Sequence, residues 1–110
     1  MDIYYAARSG ASLDTVCEAL RGAFGLPPFV CDSHDNWRYA WSEGEGLRLN
    51  VTKADDDRTV ETWIPRCPPG ANYQVILSAA SEPPDFIGQL AAILRSEVVR
   101  YAESGQAADA

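Results

Sequence analysis

Apolar positions recur along this chain at two periods. From Leu13 to Phe24 they fall at Leu13, Val16, Cys17, Leu20 and Phe24, the i, i+3, i+4, i+7 spacing of a helix with one apolar stripe. Ser12 stands where an N-cap belongs, and Asp14 suits the positive end of the helix dipole. Gly25 suits the first position past the end, and Pro27-Pro28 forbid continuation. Elsewhere the period is two. Residues 2–7 are rich in Ile and Tyr and predict a first strand. A strand begins at 29–31, and Trp37, Tyr39 and Trp41 alternate with smaller or polar residues. Leu47, Leu49 and Val51 alternate with polar neighbours after the turn signal at 43–46. Further strands are predicted at 59–64 and 73–78, separated by a breaker at 65–70 in which Pro69-Gly70 fit the centre of a type II turn. A second helix is predicted over 84–103, with Ile87, Leu90, Leu94, Val98 and Tyr101 on one side, Phe86 and Ile93 widening the stripe, and Gly105 ending it.

Strand, helix, a run of strands and a helix make an α+β pattern. Consecutive strands joined by short turns pair antiparallel. Each helix has one apolar face to bury, so the expected architecture is a single antiparallel sheet of about five strands with both helices on one face. Residues 1–105 form one domain on this reading, with 106–110 a disordered tail. The other face of the sheet is then at least partly open, and a partner could sit there.

Charge changes the picture. The formal net charge is −7, and eight of the sixteen acids lie between Asp32 and Glu61. Such a surface repels nucleic acid and anionic lipid, which argues against either as a direct partner. Nothing resembles a signal peptide or a run long enough to span a membrane. Three cysteines, Cys17, Cys31 and Cys67, cannot all pair and form no C-x-x-C motif, which suggests reduced thiols in a cytoplasmic protein.

Candidate chemistry is sparse. Cys31, Asp32, His34 and Asp35 are each capable of holding a metal, but a structural zinc site draws four ligands from separated pairs, and no second pair is visible. Cys31 and His34 are three apart in a strand, which sends them to opposite faces and spoils a nucleophile–base pair. No catalytic residue, metal site or cofactor is expected. Asp55, Asp56 and Asp57 read either as a solvated loop or as a landing point for a basic partner. The stripe of Trp37, Tyr39 and Trp41 reads either as core or as interface, with core the commoner use of alternating aromatics. Trp63 shares a strand and a face with Glu61, a pairing easier to place at a half-exposed site than inside a core.

A short, acidic, single-domain chain without a catalytic constellation resembles the immunity proteins of bacterial polymorphic toxin systems, including contact-dependent growth inhibition. The segment Leu49–Tyr73, running LNVTKADDD and then TWIPRCPPGANY, is similar to stretches in such proteins. The resemblance implies a cognate toxin domain, often a basic nuclease, neutralised by direct one-to-one binding of a monomer. The expected contact residues are Glu43, Glu45, Asp55, Asp56, Asp57 and Glu61 for steering, with Trp63 and Trp41 as anchors. An acidic secretion chaperone that binds an effector segment, and a small metal- or thiol-dependent enzyme, are the alternatives.

Overall fold

A computed structural model describes residues 1–34, 37–54, 68 and 70–104. The described residues form one antiparallel sheet of six strands carrying two helices. In chain order these are β1 (Asp2–Ala7), α1 (Leu13–Phe24), β2 (Val30–His34), β3 (Trp37–Gly44), β4 (Leu47–Ala54), β5 (Tyr73–Ala79), α2 (Phe86–Leu94) and β6 (Val98–Ser104). Across the sheet the order is β2-β3-β4-β5-β1-β6. Neighbours pair antiparallel throughout, so β2 runs parallel to β1 with three strands between them, and β6 runs parallel to β5 with β1 between them. Each helix makes one of these crossovers.

Helix α1 forms where its periodicity places it. The Ser12 hydroxyl accepts from the Thr15 amide at 3.2 Å, closing one of the orphan donors of the first turn. Gly25 takes φ +62, a left-handed conformation that an L side chain resists, and the helix stops there. The β3–β4 hairpin turns through Glu45 and Gly46, with Gly44 opposite Leu47 and Gly46 at φ +76.

The second helix departs from expectation. It ends at Leu94, not near 103, because Arg95 turns left-handed at φ 56, and the chain continues as β6 beside β1. Its apolar face is Phe86, Leu90 and Leu94, all buried, whereas Ile87 is exposed. Val98 and Tyr101 continue the helical spacing by coincidence; β-branched and aromatic side chains, Val98, Val99 and Tyr101 among them, favour the open slot next to β1. The strand expected at 59–64, residue Pro69 and the tail expected at 106–110 lie outside the described residues.

Both helices cover one face. Leu13, Val16, Cys17 and Leu20 of α1 and Phe86, Leu90 and Leu94 of α2 join Ile3, Tyr5, Ala40, Leu49, Val51, Tyr73, Val75 and Leu77 in a single core. Phe86 stands between Tyr5 and Phe24, with ring centroids 5.1 and 5.2 Å away. Polar atoms inside this layer are matched: the Ser9 hydroxyl donates to the Leu94 carbonyl at 2.6 Å, and the Tyr73 hydroxyl donates to the Ala11 carbonyl at 2.7 Å. No helix among the described residues is long and apolar enough to cross a membrane.

Candidate functional site

Strand parity builds the second face. Since Leu49 and Val51 point to the helices, Arg48, Asn50 and Thr52 point away. Register then carries Tyr39 and Trp41 of β3 to the same side, opposite Thr52 and Asn50. It carries Asp32 and Val30 of β2 there as well, opposite Tyr39 and Trp41. On the far side, Gln74 and Ile76 of β5 and Tyr4 of β1 complete the surface, and Tyr101 of β6 joins them.

This corrects the commoner reading of the aromatic stripe. Tyr39 and Trp41 lie outside the core, half-buried on the face without helices. Trp37 occupies the matching register position opposite Ala54. A strand one layer thick has two faces, and here the core had already been supplied from the small residues between them, Ala40 and Ser42, both buried.

Arg48 lies over the Trp41 ring, 5.0 Å from its centroid, and approaches the Glu43 carboxylate at 4.0 Å. The guanidinium is thus drawn to the ring by its quadrupole, with an acid at ion-pair distance. Glu43 and Trp41 are two apart in β3 and share the open face; Glu45 is exposed in the turn beyond them. Further along, the Tyr39 hydroxyl donates to Asp32 at 3.2 Å, and the Asp32 charge raises the Tyr39 phenol above its ordinary range. On the β1–β6 side the surface is tighter. Gln74 is buried and donates to the Tyr101 hydroxyl at 2.7 Å, and the rings of Tyr4 and Tyr101 stand 6.1 Å apart. The Asp2 carboxylate accepts from the Ser78 hydroxyl at 2.7 Å.

Of the expected contact residues, Trp41, Glu43 and Glu45 gather at the β3–β4 hairpin. Asp55, Asp56, Asp57, Glu61 and Trp63 lie outside the described residues, as do Asp35 and Cys67. Tyr4, Asn50 and Ile76 are not among the site residues expected from the sequence, and Tyr101, expected on a helix stripe, joins them here. No local signal marks them as neighbours, because the strand order β4-β5-β1-β6 that brings them together is set by crossovers.

The thiols fall on the opposite side. Cys17 is buried in the α1 stripe, and burial pushes its thiol up to about 12. Cys31 is exposed on β2, at a position of opposite parity to His34 in the same strand. No three His, Cys, Asp or Glu side chains among the described residues cluster to hold a metal ion.

Comparison with family models, with curated proteins and with solved structures finds no match to this chain.

Proposed function

We propose that this protein is an immunity-type inhibitor: it binds a basic toxin domain, of the kind that cleaves nucleic acid, and acts by occupying it rather than by catalysis. The observation that carries the reading is the set of half-buried aromatics on the helix-free face, Tyr39 and Trp41, bordered by Asp32, Glu43 and Glu45. Aromatic rings supply desolvated anchor area, and acids around them supply steering and register toward a cationic cleft. A domain that cleaves nucleic acid must attract phosphates, so its cleft is positive, and a chain of net charge −7 is drawn to it. The acids at 55–57 and Glu61, with Trp63, extend the same proposal. The setting is the cytoplasm, where free thiols such as Cys17 and Cys31 persist.

The test is the association rate with a basic, nucleic-acid-cleaving toxin domain, measured against ionic strength. The expected rate exceeds the ~10⁵–10⁶ M⁻¹s⁻¹ of uncharged pairs at low salt and falls steeply as salt rises. Changing Glu43 and Glu45 together to Gln should lower the rate and flatten the salt slope while leaving dissociation nearly unchanged. A rate indifferent to salt and to both substitutions would remove the steering argument.

A further inference from the structure

A basic partner brought onto the helix-free face meets one like charge. Among the described strand residues, Arg48 is the only Lys or Arg on that side. Lys53 lies two past the buried Val51 and shares its side, and Arg38 is the register partner of Lys53. Arg100 stands opposite the buried Tyr5, so all three belong under the helices. Arg48 is set among acids. Register across the sheet runs Glu43, Arg48, Ser78, Asp2, with Glu45 exposed in the turn beyond. Its guanidinium fills the corner between the Trp41 ring, 5.0 Å from the centroid, and the Glu43 carboxylate at 4.0 Å. Both ends of that ion pair are open to water: the Arg48 and Glu43 side chains are 45% and 60% exposed. A pair so exposed contributes little to stability and is easily exchanged.

We propose that Arg48 is a placeholder: the corner between Trp41 and Glu43 is a guanidinium site, and an arginine of the basic partner takes it by displacing Arg48. This rests on the reading of a basic partner and adds which side chain it presents and where. Arg48 itself demonstrates that the corner receives a guanidinium. Arginine suits the place better than lysine. A planar guanidinium can stack on an indole and meet a carboxylate with paired donors, whereas an ammonium is a compact, more strongly hydrated point charge. The exchange keeps the ring contact and the acid contact, and gives up only one exposed intramolecular pair. A cationic partner without an arginine at this place gains no such contact and meets the charge of Arg48 instead, which gives the surface choice among basic proteins. Charge complementarity favours the exchange, since the chain carries −7 and the corner lies on its acidic face.

The experiment titrates the full chain with two probes of equal charge, acetyl-nona-arginine amide and acetyl-nona-lysine amide, at one fixed salt concentration. Affinity is read by calorimetry and location by the Trp41 indole N–H resonance. The expected result is that nona-arginine binds more tightly and moves the Trp41 indole. Arg48→Ala removes a like charge and should tighten both peptides, but nona-arginine by roughly two- to fivefold more than nona-lysine, the size of one exposed cation–π contact. Trp41→Leu should erase the preference for arginine. An equal gain for both peptides in Arg48→Ala would reduce the effect to charge alone and overturn the placeholder. Weaker nona-arginine binding in Arg48→Ala would make Arg48 a contact in its own right and overturn it as well. Equal affinity of the wild type for the two peptides, or an unmoved Trp41 indole, would overturn the guanidinium site. The reading of a toxin partner is judged separately, by the salt dependence of toxin association.

Discussion

The two faces of this sheet are made by the same strands, and adjacent residues belong to different worlds. Along β4, Leu49 and Val51 are fully buried under the helices, while Arg48 before them and Asn50 between them look outward. Along β3, Ala40 is fully buried and its neighbours Tyr39 and Trp41 are half-exposed. The large rings are on the side that does not need them for the main core. Under the two helices the sheet is closed by aliphatic residues and the tilted rings of Tyr5, Phe86 and Phe24, with Tyr73 in the same core. Aromatic area on the other face lies outside that core, which is where the proposed partner would find it.

The sharpest way to break this comparison is to remove bulk from the covered face. Leu20→Ala and Leu90→Ala, each at a fully buried site, should lower unfolding free energy by about 2–5 kcal/mol in urea titrations. A cost below ~0.5 kcal/mol at either would mean the helices do not hold this face.

Alkaline titration sharpens the same contrast. Burial raises the Cys17 thiol to about 12, and burial together with the hydrogen bond to Glu82 holds the Tyr5 phenol above its ordinary range; burial does the same to Tyr73. These groups keep their protons in the folded chain at pH values where the unfolded chain releases them. The unfolded state then binds fewer protons, so stability is full below about pH 9 and falls as pH climbs through the window from 9 to 12. Tyr73→Phe should flatten the tyrosine part of that slope. In the folded protein at pH 8, iodoacetamide should label Cys31 well before Cys17, read by mass spectrometry.

The smallest effect belongs to the helix cap. Ser12→Ala removes the acceptor of the Thr15 amide and should cost about 1 kcal/mol, measurable as a shifted urea midpoint with unchanged slope. Ser12→Asp should restore most of it.

Local signals carried much of the fold. The cap, stripe and terminating glycine of α1 are all within one segment, as are the alternation of β4 and the tight turn before it, and each element lies where these predict. The second helix shows the limit. Leu94 and Val98 are four apart whether the chain is helical or not, and only the left-handed Arg95 separates a stripe on α2 from a strand beside β1. The β-branched pair Val98-Val99 was the local hint. The open face was harder still. That Trp41 points away from the helices follows from which parity of β4 meets them, and that Tyr4 and Tyr101 belong to the same face follows from two crossovers. Sequence spacing carries periodicity within a strand but not the choice of side.

Adjacent strand positions offer the most direct test of whether the two faces divide stability from recognition. Val51 and Trp41 sit on neighbouring strands, one under the helices and one on the open face. Val51→Ala and Trp41→Ala are compared for unfolding free energy and for affinity toward a basic toxin domain of the kind proposed as partner. The account predicts that Val51→Ala loses about 1–3 kcal/mol of stability with affinity unchanged. It predicts that Trp41→Ala stays within about 1 kcal/mol in stability and weakens binding by roughly thirtyfold or more, the mark of an interface anchor. Equal affinity for wild type and Trp41→Ala, with both variants folded, would contradict it.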